Sequence, residues 1–345
     1  MSNTSAKLTD FSVSQLMELK EYLKDYQINY RYNLGLPQDL TFGIEIEEVG
    51  ASYPILRSIM NEFSDSWQTD HETSIKQTYG AETNSPVFSD TVETWQSIAE
   101  VCHLLSKYGL SVNLETAAHI HFGNAGLIDS DPTKFLNIMK LWAVYEPIIY
   151  RFSKGEFSSI RPNAITKYAK PFAKEIKQLI LEEGVNDSSY EKLVHDFFVK
   201  GFAGLNIENL FYYNTVSDDQ ELFEEISKYK RLKDTIEVRT PNGTLNPVIW
   251  QNNINFFAKL FLYATSNTFD DDAISEKLER LSFEMKVVDK KLRNLTYAKY
   301  NILTTFTALE LADLIFDNDV DKLNFLKQYV GFEATKKTLE KVKTL

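Results

Sequence analysis

Three short segments carry acidic, imidazole and guanidinium side chains at a spacing of two residues. In the first, FGIEIEE, the residues Glu45 and Glu47 alternate with apolar residues. Residues two apart in an extended strand lie on the same side, roughly 6.5–7 Å from each other. Two carboxylates at that separation repel one another unless water or a cation lies between them. The segment is therefore a candidate cation ligand, although a half-exposed antiparallel strand with its glutamates in solvent shows the same alternation.

The same alternation recurs twice downstream. The segment AHIHFG places His119 and His121 on one face of a strand, and the segment TIEVRT does the same with Glu237 and Arg239. If the three strands share a sheet, its polar face gathers carboxylates, imidazoles and one guanidinium. Carboxylates with an imidazole suit divalent cations, and a nearby arginine suits a phosphate or a carboxylate. The pattern thus predicts a cation site next to an anion-binding arginine.

These strands need helices to cover their apolar faces, and the sequence supplies amphipathic stretches between them. Helical periodicity covers residues 90–108, 133–152 and 247–264, and the second of these stretches is apolar nearly all round its middle. Strands with one polar face, separated by such helices, predict an α+β fold. We expect a mostly antiparallel sheet that turns its polar face to the site and its apolar face to the helices.

Composition and charge exclude several classes of protein. The chain has 345 residues, 43% of them hydrophobic and 25% charged, which is typical of a soluble globular protein. A net charge of −12 argues against nucleic-acid binding. The single cysteine, Cys102, excludes an intramolecular disulfide and a cysteine-based zinc site. No apolar run approaches the length of a membrane span, so we predict a cytoplasmic protein that binds neither membrane nor nucleic acid.

Four motifs in one order, FGIEIE, ETNSP, HIHFG and TIEVRTPNGT, resemble the amidoligases of the glutamate–cysteine ligase and glutamine synthetase superfamily. The resemblance runs from about residue 41 to about residue 257. It implies that superfamily's catalytic fold, with a curved, mostly antiparallel sheet. It also implies ATP-dependent joining of a carboxylate to an amine through an acyl phosphate, on an amino-acid or peptide carboxylate.

The resemblance also divides the chain into three parts. Residues 1–38 would form an N-terminal helical segment, and residues 39–268 would form the catalytic domain. Residues 269–345 lie outside the resemblance and show helical periodicity. We expect this C-terminal helical appendage to pack on the core or to bind a protein partner.

Site roles follow from the resemblance. Two or three Mg²⁺ or Mn²⁺ ions would be held by one imidazole and four carboxylates, those of His121, Glu45, Glu47, Glu82 and Glu237. Arg239 would contact the γ-phosphoryl group of ATP and, with Glu47, would be catalytic.

Four further residues are assigned to substrate or nucleotide. Arg161, in a basic loop with two prolines, would hold a substrate carboxylate or phosphate. His119 would be a ligand or a structural partner of His121, and Asn206 would orient substrate or nucleotide or play a structural part. Asn242 begins an Asn-Gly pair, which is a tight-turn signal whose backbone amides could approach a phosphate.

Two other functions remain open from the sequence. A metal-dependent hydrolase could use the His119-x-His121 strand, although no HExxH motif occurs and no glutamate follows His121 at the spacing that a cupin requires. A non-catalytic binding module could keep the same fold without the activity. The complete set of Glu, His and Arg residues argues against such a module, and neither a P-loop nor a GxGxxG motif is present.

Overall fold

A computed structural model describes residues 6–63, 66–72, 75, 79–113, 115–153, 169–200, 204–216, 233–292 and 307–329. Over these residues the fold is α+β, as the sequence predicts. The strands are β1 (Phe42–Val49), β2 (Gln68–His71), β3 (Gly80–Asn84), β4 (Ala118–Gly123), β5 (Leu205–Asn206) and β6 (Thr235–Val238). The helices before β5 are α1 (Val13–Asp25), α2 (Tyr53–Glu62), α3 (Val92–Lys107), α4 (Pro132–Ser153), α5 (Ala173–Lys177) and α6 (Tyr190–Val199). Those after β5 are α7 (Glu208–Val216), α8 (Pro247–Ala264), α9 (Asp271–Leu292), α10 (307–315) and α11 (Asp319–Gln328).

The strands form one sheet in the order β2-β3-β1-β4-β6-β5, and every neighbouring pair is antiparallel. The three strands singled out by their alternation, β1, β4 and β6, are therefore direct neighbours. Because antiparallel partners keep their side-chain faces in register, the polar residues of these strands lie on one common face. The predicted antiparallel sheet is confirmed.

Helices α3 and α8 cover the apolar face of the sheet. Phe42 of β1 stacks on Trp95 of α3, with ring centroids 5.6 Å apart. Phe122 of β4 meets Phe261 of α8 edge to face at 5.4 Å. All four rings are almost completely buried. Removing this much aromatic surface from water is the main stabilising term, and each ring pair adds roughly 0.5–1.5 kcal/mol.

The last described helix, α11, packs into the core. Phe325 of α11 is fully buried and stacks against both Phe152 of α4 and Phe256 of α8. Asp321 of α11 forms an ion pair with Arg31, whose Nη1 atom lies 2.7 Å from Oδ1. An ion pair thus joins the segment before β1 to helix α11. Residues 293–306 and 330–345 of the predicted C-terminal helical appendage lie outside the described residues.

None of the helices described here combines the length and the apolar composition needed to cross a membrane.

Candidate active site

The strand register brings the predicted polar residues together. Across the β1–β3 pair Glu47 lies opposite Glu82, and across the β1–β4 pair Glu45 lies opposite His119. Glu237 of β6 lies between the two strands that flank it, opposite His121 on β4 and opposite Asn206 on β5. One face of the sheet thus carries a continuous band of carboxylates, imidazoles and an amide.

The imidazole of His119 lies among three carboxylates. Its Nδ1 atom is 2.9 Å from Glu45 Oε2 and 3.4 Å from Glu237 Oε1. On the other side of the ring, Nε2 is 3.6 Å from Glu47 Oε1. The histidine is buried, so these carboxylates and not water determine its protonation.

Glu45 has a donor on each carboxylate oxygen. His119 Nδ1 occupies Oε2, whereas His121 Nε2 (2.8 Å) and Lys233 Nζ (2.7 Å) share Oε1. Burial alone would raise the pKa of Glu45, but the hydrogen bonds to His119 and His121 and their charges outweigh burial and lower it. Glu45 is therefore a carboxylate whose charge is compensated inside the protein.

Glu82 and Glu47 have weaker compensation. Burial and, after it, the charge of Glu45 raise the pKa of Glu82 to about 7, although the hydrogen bond from Asn84 acts in the opposite direction. Burial also raises the pKa of Glu47, although the amide of Ala117 donates to its Oε2 atom at 2.7 Å. These carboxylates gain most from an added cation.

His119 is the main internal counter-charge. Burial lowers its pKa, but the hydrogen bond to Glu45 and the charge of Glu237 act more strongly and raise it to about 9. The imidazolium form therefore balances the carboxylates. Because a histidine ligates a metal through a deprotonated nitrogen, binding of a metal by His119 requires loss of this proton.

Two sets of three residues have ligand atoms close enough to share one cation. Glu45, His119 and Glu237 form the first set, and Glu47, Glu82 and His119 form the second, with the ligand atoms of each set within 4.8 Å of one another. Carboxylate oxygens with an imidazole nitrogen are a donor set that suits Mg²⁺ or Mn²⁺. The residues present therefore fit the metal that the sequence predicts.

His119 and His121 differ in what surrounds them. His121 belongs to neither set: its Nε2 atom contacts Glu45, and its Nδ1 atom lies 3.2 Å from Thr235 Oγ1. The sequence assigns the ligand role to His121 and leaves His119 as ligand or structural partner. The geometry favours His119 as the ligand and His121 as the residue that orients Glu45.

Arg239 lies at the edge of the same face, just beyond β6. Its Nε atom is 3.1 Å from Glu237 Oε1, and 28% of its side chain is exposed. Glu237 Oε2 accepts a hydrogen bond of 2.8 Å from Asn206, so Asn206 fixes the carboxylate that Arg239 contacts. A guanidinium next to the candidate cation sites is well placed to bind an oxyanion.

The segment at Asn242 and Gly243 differs from the prediction. Asn242 forms a β-bridge with Ala117, and no positive φ occurs at either position, so the pair is extended and does not make a tight turn. The two amides donate to the carbonyls of Ser153 and Thr116, at 3.1 and 3.0 Å, so they are not available to a phosphate. Glycine is needed at 243 because a Cβ there would overlap Thr116 Oγ1. A role for the Asn242 side chain stays a prediction.

Two residues of the site region, Lys233 and Asn209, were not predicted from the sequence, and one predicted residue, Arg161, lies outside the described residues. Lys233 contacts Glu45, and Asn209 of α7 lies 3.4 Å from Thr235 Oγ1 beside His121. Lys233 lies an even number of residues before Glu237 and Arg239, so period-two alternation could have placed it on the same face. Asn209 could not be expected at the site, because α7 was not predicted as a helix. Arg161 lies outside the described residues, so its proposed role stays a prediction.

The third glutamate of the first motif, Glu48, faces the opposite side of the sheet. It is fully buried and accepts a hydrogen bond of 2.7 Å from Thr83 Oγ1, and burial raises its pKa well above the usual range. The alternation of the strand therefore places Glu48 on the face opposite to Glu45 and Glu47.

Comparison with known proteins agrees with the geometry. The family model described as "Putative amidoligase enzyme" matches residues 58–261. The match includes β3, β4, β5 and β6 of the site and begins after β1, which carries Glu45 and Glu47. A search of curated proteins finds no match. Because the family model covers more than half of the sequence, the chain belongs to the amidoligase family.

Proposed function

We propose that the protein is an ATP-dependent carboxylate–amine ligase with a catalytic fold like that of glutamate–cysteine ligase and glutamine synthetase. The observation that carries the proposal is the single sheet face on which Glu45, Glu47, Glu82 and Glu237 surround His119, with Arg239 at its edge. Membership of the amidoligase family supports an amide-forming ligase over the hydrolase alternative. ATP, a divalent cation and the acyl phosphate are part of the proposal.

Either of the two sets could hold Mg²⁺ or Mn²⁺ through His119, because its neutral imidazole offers one free nitrogen lone pair. Glu45 and Glu237 belong to the first set, and Glu47 and Glu82 to the second. Bound cations would offset the negative charge of the triphosphate and of the phosphoryl group during transfer. Asn206 and His121 would orient Glu237 and Glu45 through the hydrogen bonds described above.

The proposed chemistry has two steps. A carboxylate oxygen of the first substrate attacks the γ-phosphorus of ATP, the bond to the ADP oxygen breaks, and an acyl phosphate forms. The amine of the second substrate then attacks the acyl carbon, inorganic phosphate leaves, and the nitrogen loses one proton. Arg239 would bind the phosphoryl oxygens as charge develops on them. We propose amino acids or peptides as the source of both reacting groups.

Hydroxylamine trapping tests the proposal. The purified protein would be incubated with ATP, Mg²⁺, hydroxylamine and a panel of amino acids and short peptides, and hydroxamate and ADP would be measured. We expect hydroxamate only with ATP, metal and the correct acid, and none in excess EDTA. Hydroxamate without ATP, or hydrolysis of an amide without nucleotide, would instead support the metal-dependent hydrolase. No ADP release with any acid would support a non-catalytic binding module.

A further inference from the structure

Lys233 introduces a fixed positive charge into the proposed cation site. Its Nζ atom lies 2.7 Å from Glu45 Oε1, although the two residues are 188 positions apart in the chain. The lysine side chain is 32% exposed and the glutamate side chain 13% exposed. The ammonium group therefore reaches from a partly hydrated position into the buried part of the polar face.

Asp234, the acidic residue next to Lys233, pairs with Asn124 and does not hold the lysine side chain in place. Asp234 accepts a hydrogen bond from the side chain of Asn124, at 3.2 Å, and its backbone carbonyl accepts one from the Asn124 amide. Lys233 thus forms its ion pair with Glu45 across the sheet face. Two residues further on, the chain enters β6, which carries Glu237 on the same face.

The contact uses the acceptor capacity of Glu45. A carboxylate oxygen accepts about two hydrogen bonds in its plane. Lys233 and His121 both bind Oε1, and His119 binds Oε2. Glu45 also belongs to the set Glu45, His119 and Glu237 that could hold a cation. A divalent ion at that set would meet an ammonium group on the same carboxylate, and two positive charges at that separation repel each other strongly.

We propose that Lys233 is a built-in counter-ion of the metal-free site, which neutralises Glu45 until a divalent cation displaces its ammonium group from that carboxylate. Lys233 is then a positioning residue: it keeps Glu45 in place without a metal and weakens metal binding by competition. The inference rests on the cation site of the proposed function. A flexible lysine suits this exchange because its ammonium is a compact point charge on a four-carbon stem.

Manganese titration of the full chain tests the exchange without any nucleotide. Free Mn²⁺ would be followed by electron paramagnetic resonance for the wild type, Lys233→Met and Lys233→Arg. We expect Lys233→Met to bind Mn²⁺ about tenfold more tightly, because a like charge is removed. Lys233→Arg keeps the charge and should not bind Mn²⁺ more tightly. Lys192→Met is the matched control, because Lys192 pairs with Asp196 on an exposed turn of α6 and should leave the affinity unchanged.

Thermal unfolding gives a second readout, which a purely structural lysine would not alter in the same way. In EDTA, Lys233→Met should melt at a lower temperature than the wild type, because Glu45 loses a counter-charge. Saturating Mn²⁺ should raise the melting temperature of Lys233→Met by more than that of the wild type, because a tighter ligand stabilises more.

The outcomes that overturn the inference are distinct from those that overturn the proposed function. Equal or weaker Mn²⁺ binding by folded Lys233→Met, with binding intact in the wild type, would overturn the role of Lys233 alone. Absence of Mn²⁺ binding by every variant at millimolar concentration would overturn the cation site itself, and this inference with it.

Discussion

The Nε atom of Arg239 lies 3.1 Å from Glu237 Oε1 but donates no hydrogen bond to it. The two groups therefore form an ion pair whose geometry does not lock the guanidinium. Glu237 is held from the other side by Asn206, so the carboxylate is fixed while the arginine keeps its orientation open. This arrangement suits a guanidinium that makes its strongest contacts with an oxyanion of the substrate or transition state.

Replacement of Arg239 by lysine tests this role. Lysine keeps the charge but loses the planar fork that can grip two phosphoryl oxygens. If the contact forms mainly in the transition state, we expect turnover to fall roughly 10²–10³-fold while ATP affinity changes little. Steady-state kinetics and calorimetric titration with ATP would measure the two quantities. Arg57→Lys, at an exposed position on α2, is the matched control.

The opposite result has a clear meaning. Nearly full activity in Arg239→Lys would show that Arg239 only pairs with Glu237 and does not contact the reacting phosphoryl group.

Replacing different glutamates of the polar face should have different effects on the melting temperature of the metal-free protein. Glu45 accepts hydrogen bonds from His119, His121 and Lys233, so Glu45→Gln removes a charge that three donors compensate. Glu82 lies opposite the like charge of Glu47, an arrangement that destabilises a sheet. In EDTA we therefore expect Glu45→Gln to lower the melting temperature and Glu82→Gln to leave it unchanged or raise it.

Calorimetry or circular dichroism would measure both variants, with ligase activity assayed in parallel. Both variants should lose activity, because each removes a proposed cation ligand. A rise in melting temperature for Glu45→Gln would show that its three donors do not stabilise the carboxylate.

Period-two alternation predicted the composition of the polar face because burial of the other face leaves no choice of register. Once Ile44 and Ile46 must face the helices, Glu45 and Glu47 must face away, and the same holds for His119 and His121 about Ile120. The antiparallel sheet and the polar residues on one of its faces therefore follow from local patterns.

Contacts that depend on distant chain segments could not be predicted in this way. The Asn242-Gly243 pair has the composition of a turn, but packing against Thr116 makes it extended. Which imidazole lies among three carboxylates depends on the positions of β1, β4 and β6 together, so the sequence could not distinguish His119 from His121. The pairing of Arg31 with Asp321 joins positions 290 apart, and no local pattern signals it.

That pairing predicts that α11 contributes strongly to stability. Asp321 is buried and accepts hydrogen bonds from Arg31 Nη1 at 2.7 Å and from Asn255 Nδ2 at 2.8 Å. Asp321→Ala leaves both donors without this acceptor, so we expect a loss of roughly 2–3 kcal/mol in the free energy of unfolding. Urea denaturation would measure it. Glu21→Ala removes an exposed ion pair with Lys24 and should change stability by less than about 0.5 kcal/mol.

A loss for Asp321→Ala as small as that for Glu21→Ala would show that the buried pair has little net effect. The burial of Phe325 would then be the main contribution of α11 to the fold.

Glu146 should give the protein a pH-dependent stability that is independent of the active site. It lies in the middle of α4, buried, and its Oε1 atom accepts hydrogen bonds from the amides of Phe172 and Ala173 and from the indole of Trp142. Burial raises its pKa to about 7 from an ordinary value of 4.5, although these hydrogen bonds act in the opposite direction. The folded protein therefore binds the Glu146 proton more tightly than the unfolded chain does.

The sign of the pH dependence follows from this difference. The stabilisation from the protonated carboxyl is fully present below pH 4.5 and is lost as the pH rises through about 7. The loss is on the order of 3 kcal/mol, because each pKa unit corresponds to about 1.4 kcal/mol. Glu146→Gln keeps an oxygen that can accept the three hydrogen bonds but cannot ionise. We therefore expect the variant to gain stability relative to the wild type as the pH rises from 4.5 to 8.

Urea unfolding at several pH values would measure the difference between the two proteins, so that contributions of all other titrating groups cancel. Glu182→Gln, at an exposed position after α5, is the control and should follow the wild-type curve. A constant difference between wild type and Glu146→Gln across this range would show that the Glu146 carboxyl does not change its protonation on folding. A difference that grows with pH in favour of Glu146→Gln would identify Glu146 as a buried acid that is neutral in the folded protein below neutral pH.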